Sequence, residues 1–202
     1  MAWLAEMPYS INASNANCYP GTTILINKLD IVDQEALTEV ERVSVSTHFS
    51  QIIANPPSDP FTFAFYRSLH RKLFGDLYEW AGELRNVDLS KKGTRFYAAA
   101  SLAELGEAKF RYLQDAREFR GLAHEEFAYQ IADFYHELNM LHPFREGNGR
   151  TQRLFFTLLI RRAGYNINFS DCDTDDLMLA TIRAAQGVMD YLIAFCTENI
   201  TP

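Results

Sequence analysis

The sequence predicts an all-α fold, a helical bundle that carries one short β-hairpin. Three observations predict it. Apolar residues recur at helical spacing along most of the chain, as in Phe61, Phe65, Leu69 and Leu73. Only Arg85 to Tyr97 breaks that habit, with Asn86 to Ser90 alternating polar and apolar ahead of a tight-turn sequence, Lys91-Lys92-Gly93. The run Leu154 to Ile160 is apolar on nearly every side, as a helix enclosed by a bundle must be.

Taken in order, residues 1–22 form a polar, irregular arm with a turn at Pro20-Gly21, and residues 23–202 form a single domain. A helical start is expected at Ile24 to Leu29. Asp33 then caps a helix that Asn55-Pro56-Pro57 stops. Asp59-Pro60 opens the next, Asp as N-cap and Pro at the first helical position, running to Phe74. The hairpin occupies about 85–97 and needs a surface to pack on, because a lone hairpin is marginally stable. Helices follow over Leu102 to Phe119, Leu122 to Met140 and Arg150 to Ala163, the last closed by Gly164. Thr174 to Ala185 and Val188 to Asn199 complete the set. No linker or repeat divides the chain.

Composition narrows the function. The 202 residues are 48% hydrophobic, enough for a sizeable core, and the net charge is −7. A chain this acidic repels a polyanion at range, so direct nucleic-acid binding is not expected. No apolar run approaches the roughly 20 residues of a membrane helix, so no membrane association is expected. The first residues lack the basic and apolar regions of a signal peptide. Cys18, Cys172 and Cys196 form no CxxC pair and read as reduced thiols of a cytoplasmic protein.

The chemistry concentrates between two strong helices, in His142 to Arg153. Gly147 and Gly149 let backbone approach a ligand and lead into a helix whose first N–H groups are unpaired. Arg150 and Arg153, three apart, share one face over that positive end. Such a site suits a polyphosphate. Glu146 belongs there if a cation accompanies the phosphates, since Mg²⁺ is usually held by one or two carboxylates plus phosphate oxygens. His142 is the group in the loop able to take a proton near neutral pH. Each feature alone is weak. Within twelve residues at a helix entrance, together they point to group transfer from a nucleoside triphosphate.

This stretch resembles the Fic domain signature, His-x-Phe-x-(Asp/Glu)-Gly-Asn-Gly-Arg-x-x-Arg, at every defined position from 142 to 153. Tyr78 to Arg85 resembles that family's lead into its flap, and Tyr19 to Leu29 the N-terminal lead of small bacterial Fic toxins. The resemblance implies the Fic fold and transfer of AMP from ATP to a Ser, Thr or Tyr hydroxyl of a target protein. It implies His142 as base, Phe144 as core anchor, and Glu146 as the Mg²⁺ ligand. Gly147, Asn148 and Gly149 would cradle phosphate, Arg150 would reach the β-phosphate and Arg153 the γ-phosphate. The hairpin, Ser90, Lys91, Lys92, Gly93, Thr94, Arg95 and Phe96, would be the flap that holds the target by strand addition. DNA gyrase and topoisomerase IV are targets implied by resemblance alone.

Fic enzymes are commonly held off by a helix bearing (Ser/Thr)-x-x-x-Glu-(Gly/Asn), whose Glu pairs with the second motif arginine, here Arg153. No Glu in this sequence has Ser or Thr four residues before it, and Glu198-Asn199 comes nearest. A small helical antitoxin acting in trans, docked on the helix from Asp33 to Ala54, is therefore expected. The alternatives are a Fic-like transferase using a phosphocholine, nucleotidyl or phosphoryl donor, and a non-catalytic binding module. His136 and His124 lack the second histidine of a zinc HExxH helix, and the Asp171 to Asp176 cluster lacks the glycine and closing Glu of a calcium loop. His70, beside Arg71 and Lys72, reads as part of a solvated helix face.

Overall fold

The computed structural model describes residues 10–11 and 17–202. The rest of the predicted arm lies outside the described residues. Seven α-helices are described: α1 Gln34–Ala54, α2 Phe63–Phe74, α3 Leu102–Asp115, α4 His124–Leu141, α5 Asn148–Arg162, α6 Thr174–Ala185 and α7 Asp190–Asn199. Strands β1 Ser10–Ile11, β2 Leu89–Lys91 and β3 Thr94–Arg95 form an antiparallel sheet in the order β1-β2-β3. The helical bundle with its hairpin is the fold the sequence predicts.

The arrangement follows from α5. Its residues Leu154 to Ile160 are all buried, so the helix needs neighbours on every side. It packs against α1, α2 and α4. Aromatic rings fill the space between them. Phe155 meets Phe61, Tyr66 and Phe110 edge-on at 5.3–5.4 Å. Such edge-to-face pairs each add about 0.5–1.5 kcal/mol beyond their burial. Tyr66 also stacks on Phe144 of the signature loop at 5.6 Å, which ties the loop into the core as expected of that residue.

Asp33 caps α1 through the Ala36 N–H, and α6 spans the predicted residues. Other boundaries moved. The helix α2 opens three residues beyond Pro60, because the Thr62 side chain accepts from the Phe65 N–H and is the cap. Residues 24–29 are not helical. The buried Asn27 amide donates to the Leu25 and Ile31 carbonyls and accepts the Leu29 and Ile31 N–H groups, so one side chain satisfies the loop. The helix expected to reach Phe119 ends at Asp115, and Arg117, Glu118 and Phe119 then take φ of 52, 57 and 59°. That left-handed turn, costing on the order of 1–2 kcal/mol per residue, aims the buried Glu118 at Arg162 Nη1, 3.7 Å away. Arg162 in turn holds the Pro57 and Asp59 carbonyls.

Candidate active site

The loop between α4 and α5 is fixed from three sides. Pro143 disfavours helical backbone at the residue before it, and His142 leaves α4 with a left-handed φ of 41°. Asn148 closes the loop with two bonds, donating to the Phe144 carbonyl and accepting its N–H, both at 2.8 Å. Gly147 has a φ of 76°, and a Cβ there would run into the Phe74 ring. Glycine is required at this position both for the dihedral and for the space.

His70 supports the loop from below and corrects the expectation of a solvated face. It is fully buried on α2 and stacked against Phe144, ring centroids 3.9 Å apart. The Gly82 N–H donates to its Nδ1 at 2.8 Å, so Nε2 carries the proton and donates to the Glu146 carbonyl at 2.9 Å. Arg71 and Lys72 are exposed as expected, whereas His70 points inward from the same turn.

Arg85 holds the loop from the hairpin side. Its buried guanidinium donates to the His142 carbonyl at 2.8 Å, to Val87 at 2.6 Å and to Tyr97 at 2.5 Å, while its N–H donates to the Pro143 carbonyl. One arginine thus joins the end of α4 to the segments that enter and leave the hairpin. No reading of the sequence gave Arg85 a role. Its signal was a lone cation opening the alternating segment.

At the hinge of this scaffold sits His142, with its side chain near the floor of a cleft of about 470 Å³. Its Nδ1 lies 3.1 Å from the Asn139 carbonyl. That oxygen can only accept, so Nδ1 bears the proton and the basic lone pair is on Nε2. The Phe96 ring stacks on the imidazole from the hairpin. Gly149 and Arg153 line the same cleft, together with Lys91, Lys92 and Thr94 of the hairpin and Thr181 of α6. A proton acceptor, a helix N-terminus and a guanidinium therefore face one space.

Glu146, Gly147, Asn148 and Arg150 are not among the residues that line that cleft. The Arg150 guanidinium is buried, 4.8 Å above the Phe74 ring. Its Nη1 donates to Glu41 of α1, and its Nη2 lies 3.4 Å from Glu146 Oε1. Glu146 Oε1 also accepts the Gly147 N–H at 2.8 Å. Glu41 Oε2 accepts the Tyr78 hydroxyl at 2.5 Å. Burial, and next the Glu41 charge, push the Tyr78 phenol well above its ordinary range, so it stays a donor. Sequence reasoning missed Glu41, which sits beside Glu39 and Arg42 along α1 and looks like one more charged residue of that helix.

The hairpin turns at Lys92 and Gly93, whose φ of 48 and 82° match a type I′ turn. Its outer edge on β2 pairs with β1, Ser10 opposite Ser90 and Ile11 opposite Leu89. Among the described residues no group of three or more His, Cys, Asp or Glu side chains could by itself hold a metal. Asp173 caps α6, as expected for that acidic cluster.

Residues 60–160 match the model of the Fic/DOC family. The chain is 35% identical over 182 residues to the protein adenylyltransferase VbhT of Bartonella schoenbuchensis, covering 90% of this chain and 38% of that protein. It is 37% identical over 179 residues to the probable protein adenylyltransferase y4lH of Sinorhizobium fredii, covering 88% and 91%. The chain thus spans well under half the length of one relative and nearly all of the other. The crystal structure of BepC from Bartonella tribocorum, with bound AMPPNP, superposes with a TM-score of 0.88 at 28% identity, covering 95% of this chain and 99% of that one. With the signature loop, the helix it opens and the hairpin above it all in place, the chain belongs to the Fic/DOC family.

Proposed function

We propose that the chain is a protein adenylyltransferase that moves AMP from ATP to a side-chain hydroxyl of a target protein. The observation that carries this reading is His142: its tautomer is set by the Asn139 carbonyl, and it faces the same cleft as Gly149 and Arg153. The target hydroxyl oxygen attacks the α-phosphorus, its proton passes to His142 Nε2, and the bond from the α-phosphorus to the bridging oxygen breaks, releasing pyrophosphate. Most of the rate gain comes from alignment and from neutralising charge on the leaving group. Gly147, Asn148 and Gly149 support the phosphates at the start of α5, and Arg153 takes the γ-phosphate. Arg150, whose Nη2 lies 3.4 Å from Glu146 Oε1, is proposed to reach the β-phosphate.

The residues fit a divalent cation of one kind only. Glu146 offers a partly exposed carboxylate beside a helix N-terminus, and among the described residues no group of three or more acidic, His or Cys side chains completes a cage. A Mg²⁺ ion there would be shared with phosphate oxygens. When bound it neutralises charge building on the pyrophosphate. The hairpin residues Ser90 to Phe96 would hold the target chain beside His142.

The same reading makes this a toxin-type enzyme of the cytoplasm, inhibited in trans by a small antitoxin with a helix bearing (Ser/Thr)-x-x-x-Glu-(Gly/Asn). What supports it is α1. This helix of 21 residues fully buries only Leu37 and Val45, and Val43 with the preceding Val32 lies open to solvent. The partner helix is proposed to dock on that face and to place its own Glu beside Arg153. DNA gyrase and topoisomerase IV are the first targets to assay. No described helix is long and apolar enough to cross a membrane.

The test is incubation of the purified chain with cell extract and α-labelled ATP, then with γ-labelled ATP and labelled CDP-choline. Label transferred to protein from the α-position alone supports adenylylation. Transfer from the γ-position beyond that seen with the His142→Ala chain would replace the group transferred, transfer from CDP-choline would replace the donor, and no transfer from any would favour a binding module.

A further inference from the structure

The geometry points to Glu41 of α1 as a positioning residue for the carboxylate of Glu146: we propose that it draws the Arg150 guanidinium away from Glu146 and so keeps that carboxylate a competent ligand for a divalent cation. This rests on the reading of Glu146 as the cation ligand.

The argument is one of divided donors. An arginine that meets one carboxylate tends to give it both terminal nitrogens in a parallel fork. A carboxylate held in that fork has its charge neutralised and its lone pairs engaged, which makes it a poor metal ligand. Arg150 does not do this to Glu146. Its Nη1 goes to Glu41 Oε1, and only Nη2 faces Glu146, at 3.4 Å. The closer contact therefore belongs to the residue outside the loop. Glu41 is itself pinned, because Oε2 accepts from the Tyr78 hydroxyl and its side chain is only 13% exposed. The Phe74 ring beneath the guanidinium limits its other movements.

Mn²⁺ binding measured by electron paramagnetic resonance, with AMPPNP present, tests the proposal on wild type, Glu41→Gln, Tyr78→Phe and Glu146→Gln. Removing a group that orients a metal ligand costs about 10- to 100-fold in affinity. Glu41→Gln is expected to raise the Mn²⁺ dissociation constant about tenfold. Glu146→Gln should weaken Mn²⁺ at least as much. If Glu146→Gln weakens Mn²⁺ and Glu41→Gln does not, the role of Glu41 is wrong and the cation reading stands. If Glu146→Gln leaves Mn²⁺ affinity intact, the cation reading falls and this inference with it. Should Glu41→Gln not fold, Tyr78→Phe decides, since it removes only the hydroxyl that pins Glu41. A rise in the Mn²⁺ constant then supports the proposal and an unchanged constant overturns it.

Discussion

The ring of Phe96 lies flat on the imidazole of His142, centroids 3.7 Å apart and planes 5° from parallel. Phe96 closes the hairpin and His142 ends α4, so this contact sets the distance between the segment proposed to hold the target and the base that would act on it. The hydrogen bond from Nδ1 to Asn139 fixes the ring in the other direction. Between them they leave the imidazole little rotational freedom.

Phe96→Ala is expected to lower kcat about tenfold, a part of the roughly 10²- to 10⁴-fold that a positioned general base supplies, while ATP binding stays unchanged. Titration calorimetry and steady-state transfer assays check the split. Equal loss in both would place Phe96 in nucleotide binding instead.

His142→Ala removes the base itself. Transfer should fall by about 10²- to 10⁴-fold, with the thermal midpoint lowered only slightly, because the loop keeps Asn148, Arg85 and His70. Activity near wild type in the folded variant would overturn the assignment of His142.

Arg153→Ala should weaken ATP much more than ADP, because only ATP carries the γ-phosphate this residue is proposed to take. Parallel calorimetric titrations with both nucleotides are the check. Equal weakening would move Arg153 to another part of the nucleotide.

His70→Leu keeps the apolar stack on Phe144 and deprives two groups of their partners, the Gly82 N–H and the Glu146 carbonyl. Each buried group left unsatisfied costs about 1–3 kcal/mol, so a clear loss in denaturant midpoint is expected. His70→Gln, which can donate and accept, should recover part of it. A His70→Leu variant as stable as wild type would return this residue to a passive role.

Gly147→Ala meets a left-handed φ and the Phe74 ring at once. Overpacking of this kind costs about 1–3 kcal/mol, and the substituted loop should lose activity as well as stability. Chemical denaturation with a parallel transfer assay reads both. The double variant with Phe74→Leu makes room for the Cβ and should recover only the packing share.

Much of the scaffold was legible because its causes are local. Asp33 caps α1 with its own carboxylate, the apolar run in α5 demands burial, and Lys92-Gly93 supplies the left-handed pair a tight hairpin needs. The signature loop was legible too, since His142, Gly147, Asn148 and Arg153 are close in sequence and their chemistry is unusual between two apolar helices. Local signals failed where two caps competed. Asp59-Pro60 and Thr62 both suit a helix start, and only the bond from Phe65 N–H to Thr62 shows which one is used.

The sequence by itself therefore determined the bundle, the single hairpin and the loop carrying His142, because helical periodicity, caps and turn chemistry act over a few residues. The tertiary structure decided which charged residues serve that loop. His70 on α2, Arg85 ahead of β2 and Glu41 on α1 are 76, 57 and 109 positions from Glu146, His142 and Arg150, the residues they hold. Along the chain each resembles an ordinary solvated side chain. Packing of α1 and α2 against α5 removes water from Glu41 and His70, and the end of α4 with the hairpin does so for Arg85. A polar group without water must find its partner in the fold.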